Sequence, residues 1–165
     1  MGKNTQSLRE FSSGGIVFKK NKWLIRSTVV SSLFPNKYWM LPKGWIDDAG
    51  PGIPGPMASG EIRADEESLQ KTAIREVAEE GGVSASIIKK IGTEKYVFKH
   101  PEKGSILKFV TFYLMEFVRD LPEGFGDETS EVAWLSFDEA RKKLSFGGEK
   151  EMLTRAQELL ENLPL

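Results

Sequence analysis

The stretch that most constrains this chain runs from Glu67 to Val83, ESLQKTAIREVAEEGGV. Leu69, Ala73 and Val77 recur at four-residue spacing and Ile74 widens the stripe, so the periodicity predicts an amphipathic helix. Ser68 is the expected N-cap, and Gly81 and Gly82 supply the left-handed residue that ends a helix. Glu76, Glu79 and Glu80 then share one face within one turn. Carboxylates that close repel one another. A helix gains nothing from them unless a cation or a basic partner sits among them. The competing reading is a solvated acidic face, paired at i,i+4 spacing to Lys71 or Arg75.

The wider pattern favours the first reading. Arg75-Glu76-Val77-x-Glu79-Glu80-x-Gly82-Val83 matches R-E-U-x-E-E-x-G-U (U apolar), the second half of the Nudix hydrolase signature. Glu67 stands eight residues before Arg75, where that signature has its upstream glutamate. On these positions the chain resembles the Nudix hydrolases, metal-dependent enzymes that cleave a nucleoside diphosphate linked to another group. The resemblance implies that Glu76, Glu79 and Glu80 hold Mg²⁺ or Mn²⁺. It implies that Arg75 fixes a glutamate by ion pairing, with Glu67 as a partner, and that a distant loop adds an acid as ligand or base. Glu128 is the candidate for that acid, with Asp127 and Glu131 behind it. The chemistry is consistent with these roles. A hard cation takes oxygen ligands, neutralises phosphate charge and turns water into hydroxide.

One departure is plain. The family pattern opens G-x5-E, usually inside a Pro-Lys-Gly turn, which Leu41-Pro42-Lys43-Gly44 supplies. Yet 22 residues separate Gly44 from Glu67. The excess lies at about 48–66, is rich in Gly and Pro, and is expected to be a surface loop outside the core, either a lid at the mouth of the site or a disordered excursion. Three basic residues are candidates for substrate phosphate. Lys43, beside Gly44, sits next to the phosphates in the resemblance. Arg26, inside an apolar strand, is either an edge charge or a phosphate clamp. Lys108 either points outward by strand alternation or reaches substrate.

Composition narrows the field. At 165 residues, 39% hydrophobic and 28% charged, the chain is expected to form one domain spanning 1–165 with a real core. A net charge of −1 argues against a binder of nucleic acid polymers but not of nucleotides. The absence of cysteine excludes disulfides and thiolate chemistry and suits a cytoplasmic setting. No apolar run approaches membrane-spanning length, and neither a signal-peptide core nor a myristoylation pattern opens the chain. Nothing in the sequence sets an oligomeric state.

In chain order, residues 1–9 read as loose. Strands are expected at 11–18, 22–30, 38–41, 84–90, 91–98, 107–118 and 131–136, with helices at 137–144 and 150–163. His100, in a hairpin loop, is expected to face solvent. Strands around a central helix, then C-terminal helices, give an α+β architecture. It agrees with the Nudix fold, a mixed sheet sandwiched between helices. The Lys108–Phe117 strand, Val132–Ala140, Leu144–Phe146 and the closing Glu161–Leu165 resemble the diadenosine polyphosphate hydrolases, so such a compound is the expected substrate. Tyr96, Phe98 or Phe112 could stack its adenine. The alternatives are diphosphoinositol polyphosphate, ADP-ribose or oxidised nucleoside triphosphate hydrolysis, or a non-catalytic nucleotide-binding Nudix module.

Overall fold

The computed structural model describes residues 8–164. Residues 1–7 of the segment expected to be loose, and Leu165, lie outside that range. Leu8 and Arg9 do not follow the expectation, because they already belong to the first strand, β1 (Leu8–Lys19). The other strands are β2 (Lys22–Thr28), β3 (Trp39–Met40), β4 (Lys43–Trp45), β5 (Asp48–Gly50), β6 (Ile53–Pro54), β7 (Val83–His100), β8 (Gly104–Asp120) and β9 (Thr129–Leu135). The helices are α1 (Glu66–Gly81), α2 (Phe137–Lys143) and α3 (Gly147–Glu161).

Seven strands form one mixed sheet in the order β3-β2-β1-β8-β7, with β4 against β1 and β9 against β2. β1 runs parallel to β8 from the Leu8–Ile106 pair to the Phe18–Glu116 pair. β1 and β2 meet only at the hairpin, where Phe18 faces Trp23 and Lys19 faces Lys22. Beyond that they part. β1 turns to β4, while β2 takes β3 and β9.

Strand alternation sends successive side chains to opposite faces, and both faces are covered. Ile16, Ile25, Val110, Phe112 and Leu114 pack under α2 and α3 with Leu144, Met152, Leu153 and Ala156. Val17, Leu24, Tyr113 and Met115 pack under α1 with Ala73 and Val77. Phe112, on the α2–α3 side, is fully buried, which removes it from the residues able to stack a base. Small residues in β1 allow the close approach read from the sequence. A side chain on Gly14 would collide with the Pro42 carbonyl, which accepts a hydrogen bond from the Gly15 N–H at 3.1 Å.

Two boundaries and the exposure of one residue differ from expectation. The N-cap of α1 is Asp65, whose carboxylate accepts from the Ser68 N–H at 2.8 Å, so the helix starts one turn earlier than Ser68 suggests. Gly82 ends it as expected, with φ of 72° and its N–H on the Ala78 carbonyl. The two strands expected across 84–98 are one strand, β7. It absorbs its polar residues through irregularities near Ala85, Lys89 and Gly92 instead of breaking. His100 is half-buried, its Nδ1 accepting from the N–H groups of Glu102 and Lys103 at 3.1 and 3.2 Å.

The 48–66 segment is ordered. β5 and β6 pair, and Asp47 accepts from the N–H groups of Met57 and Ala58 at 3.1 and 2.8 Å. Ala58 is fully buried and its carbonyl accepts from the Phe11 N–H at 2.7 Å. The segment therefore joins the core, contrary to a free loop, because Asp47 folds it back onto β1. Ile53 and Ile62 stay exposed. Replacing Ala49–Ala64 by a short turn leaves the Phe11 N–H without its acceptor. It is expected to lower the unfolding free energy by roughly 1–3 kcal/mol, read from urea titration. An unchanged midpoint would show that the segment only rests on the surface.

Candidate active site

The second half of α1 carries the three glutamates into different surroundings. Glu76 and Glu80 are buried, and Glu79 is exposed. Glu80 is held at three points. Its Oε1 accepts from the Lys43 backbone N–H at 2.9 Å, its Oε2 pairs with Arg26 Nη2 at 3.2 Å, and its carbonyl accepts from the Thr129 hydroxyl at 2.8 Å. Arg26 completes a ring, donating from Nε to Thr129 Oγ1 at 3.1 Å and from Nη2 to the Glu128 carbonyl at 3.2 Å. Arg26 is buried, so the edge-charge reading does not hold, and its guanidinium is directed at Glu80.

Glu76 lies against Gly44, where any side chain would occupy the space of its carboxyl group. Arg75 reaches Glu76 Oε2 at 3.3 Å and Glu79 Oε1 at 4.0 Å, and anchors through Nη2 to the Trp45 carbonyl at 2.8 Å. The expected Arg75–Glu67 pairing is absent. Glu67 faces solvent and pairs with Lys71 at 2.8 Å, because it lies on another side of the helix. The loop after β8 docks on the end of α1, Gly126 N–H donating to the Glu79 carbonyl at 2.6 Å. It brings the Glu128 carboxylate close enough to disfavour ionisation of both buried glutamates. Of the fallback acids, Glu131 is instead paired with Lys37 at 2.7 Å on the surface.

Burial pushes Glu76 up to about 7, with the neighbouring Glu79 carboxylate adding to the effect. It pushes Glu80 up to about 8, outweighing Arg26. Among the described residues, no three carboxylate or histidine side chains stand together at metal-holding spacing. Glu80 is turned to Arg26 and Glu76 to Arg75. The donor set still fits a hard divalent cation. It offers oxygens only, on one helical turn, from carboxyls whose ionisation a nearby positive charge would relieve.

β4 separates these acids from a polar cluster on the other face of the sheet. Gly44 faces Glu76, while Lys43 and Trp45 point the opposite way. Lys43 Nζ donates to Glu149 Oε2 at 2.8 Å and to the Tyr96 hydroxyl at 3.1 Å. Burial opposes its charge, yet Glu149 and Tyr96 hold the ammonium above its usual range. Glu149, almost fully buried at the start of α3, also accepts from the Leu41 N–H at 2.8 Å. Lys108 lies beside Glu10 at 3.5 Å and over the Phe98 ring at 4.8 Å, its pKa lowered by burial. Trp45 Nε1 donates to the same Glu10 at 2.9 Å. Sequence reasoning missed Glu10, Tyr96 as a partner of Lys43, Thr129 and Glu149. A charged residue two before Ser12, on a strand of small and apolar residues, was the available signal for Glu10. Glu149 had none.

The NUDIX domain sequence profile matches residues 10–156, nearly all of the chain. The chain belongs to the Nudix domain family. This Nudix domain is 31% identical over 125 residues to a protein of Mycobacterium tuberculosis (strain CDC 1551 / Oshkosh) named as a mutator protein, MutT4. That match covers 76% of the chain and 43% of the relative, so the chain spans less than half of the curated relative's length. Solved structures share its fold. They include a NUDIX hydrolase from Nitrosomonas europaea (TM-score 0.63, 19% identity, 95% of this chain and 97% of that one). A C. elegans Ap4A hydrolase aligns at TM-score 0.60 with 18% identity, over 93% and 99% of the two chains. An ADP-ribose pyrophosphatase from Streptococcus suis aligns at 0.59 with 16% identity, over 94% of each. No helix among the described residues of this Nudix domain is long and apolar enough to cross a membrane.

The buried glutamates give the metal-free domain a distinctive pH response. Their folded forms keep protons that the unfolded carboxylates release near 4.5, so unfolding releases protons and stability falls as pH rises from about 5 to 8. In EDTA the urea midpoint is expected to be lower at pH 8 than at pH 5.5. Millimolar Mg²⁺ or Mn²⁺ is expected to raise it at pH 8. A flat profile, or no response to either ion, would contradict this account of Glu76 and Glu80.

Proposed function

We propose that the chain is a Nudix pyrophosphohydrolase that cleaves a phosphoanhydride bond in a nucleoside diphosphate derivative, with a diadenosine polyphosphate as its preferred substrate. The observation that carries the reaction class is the burial of Glu76 and Glu80 on one helical turn of α1, with Glu80 held by the Lys43 backbone N–H of β4 and by Arg26. Glu76, Glu79 and Glu80 would hold Mg²⁺ or Mn²⁺, which when bound neutralises phosphate charge and acidifies water.

The chain's own groups divide the remaining tasks. Arg26 orients Glu80. Arg75 orients Glu76 and ties it to β4. Glu128 is the proposed proton acceptor, carried by the loop docked on α1. Gly44 leaves room for the Glu76 carboxyl, and Lys43 and Lys108 are the proposed ligands of substrate phosphates. Glu67 lies outside this constellation and supports the helix surface through Lys71.

Support for the substrate comes from two directions. The strand around Lys108 and the C-terminal stretches resemble the diadenosine polyphosphate hydrolases, and an Ap4A hydrolase is among the structures sharing the fold. Aromatic rings stand beside these two cations, Phe98 under Lys108 and Tyr96 under Lys43.

Glu80→Gln is expected to reduce turnover by about 10²-fold or more at limiting Mg²⁺ in a folded protein, since loss of an outer-shell partner alone typically costs ~10–100-fold. Near-normal turnover would defeat the catalytic reading and favour a binding module. Diadenosine tetraphosphate is expected to show a higher kcat/KM than 8-oxo-dGTP, ADP-ribose or a diphosphoinositol polyphosphate. Preference for any of these three would overturn the substrate while leaving the reaction class intact.

A further inference from the structure

A cleft of about 640 Å³ lies on the α1 side of the sheet. That volume falls within the range of small-molecule sites. β8 separates this cleft from the Lys43–Lys108 cluster by alternation, Lys108 lying on one face and Phe109 on the other. Along α1, the lining residues Asp65, Glu66 and Leu69 precede Glu76 and Glu80 by roughly 10–23 Å of helix.

The floor is aromatic. Phe11 and Phe109 are paired on β1 and β8, and their rings stack 4.8 Å apart at 6°. The 48–66 segment builds one wall. Gly60, at φ of 82°, lies so close to the Phe11 ring that a side chain there would meet it at 2.6 Å. Without this segment the phenyl pair would sit on an open sheet.

The charges are unequal. The two acids at the start of α1 already have partners, Asp65 capping the helix through the Ser68 N–H and Glu66 accepting from Tyr113 at 2.6 Å and from Lys90 at 3.0 Å. The helix N-terminus is thereby closed to a ligand. Arg9 and Arg63, also on the lining, make no ion pair among the described residues. The two rings spend one face on each other, Gly60 lies against Phe11 and Lys95 Nζ stands 5.8 Å from the Phe109 centroid, so the pair meets a ligand mainly by its ring edges. An aromatic edge beside two guanidiniums without ion pairs suits an edge-to-face contact with a ring that carries an anion.

We propose that this cleft is a second ligand site that binds a nucleoside phosphate, its base against the Phe11–Phe109 pair and its phosphate between Arg9 and Arg63. None of Glu76, Glu80, Lys43 and Lys108 is on its lining, and the proposal does not depend on which phosphoanhydride the domain cleaves.

The test uses the full chain in EDTA, with AMP, adenosine and inorganic phosphate as probes and the methyl signals of Met57 and Ile62, on the insertion wall, as reporters. AMP is expected to shift both signals saturably, and adenosine and phosphate to do so more weakly. The double variant Arg9→Glu, Arg63→Glu is expected to weaken the AMP titration by roughly tenfold or more, through loss of charge-assisted hydrogen bonds. Its kcat/KM with metal should stay within about twofold, a change worth only ~0.4 kcal/mol. Lys108→Ala should leave the methyl titration unchanged. The proposal fails if AMP up to about 10 mM, beyond the affinity of a useful site, moves neither signal. It fails equally if the double variant titrates like the parent, or if Lys108→Ala abolishes the shifts, which would place AMP at the Lys43–Lys108 cluster. Should the double variant not fold, the parent and Lys108→Ala titrations still decide between these outcomes.

Discussion

The structure depends on the burial of Glu80. A lone carboxylate in that position would be costly, and the chain surrounds it with a backbone N–H from β4, a guanidinium from β2 and a hydroxyl from β9 on its own carbonyl. Those partners come from three strands that the parting of β1 from β2 brings to one place. Fixing Glu80 therefore fixes the sheet opening, the turn at Lys43 and the end of α1 together. Even so, burial outweighs Arg26, and the group is left with an appetite for positive charge. A fold that spends this many contacts on holding an unfavourable carboxyl is arranged for chemistry, since packing alone would be better served by an apolar residue.

The alternation of a single short strand organises the rest. β4 is three residues long, yet Gly44 yields to Glu76 while Lys43 and Trp45 reach Glu149 and Glu10 on the opposite face. The acids and the candidate phosphate ligands are thus held within one strand's thickness of each other on a rigid element. Little freedom remains between the groups that would meet the metal and those that would meet its substrate.

Much of this was legible in the sequence. The helix with its glutamates and terminal glycine, the two-faced sheet and the apolar stripe of α3 follow from periodicity, because local pattern and tertiary burial agree there. The site was only partly legible. Arg75 and the helical glutamates share one turn, so spacing alone placed them together. Asp65 was overlooked as a cap because Ser68, a stronger cue beside the apolar run, lies just inside the helix. The 48–66 segment read as a free loop from its Gly and Pro content, and composition could not show that Asp47 would gather it onto β1. The pairing of Lys43 with Glu149 links residues 106 positions apart. Only the docking of α3 makes them neighbours, and nothing local announces it.

That last contact has a consequence for biosynthesis. The helix bearing the family motif is complete by residue 81, but Lys43 and the Leu41 N–H acquire their shared acceptor only when Glu149 has emerged and α3 has packed. A nascent chain carrying the entire motif would therefore hold an ammonium and an amide without their acceptor close to the glutamate-bearing turn of α1. This cluster would form not when the signature is translated but only after α3 has emerged and packed over it.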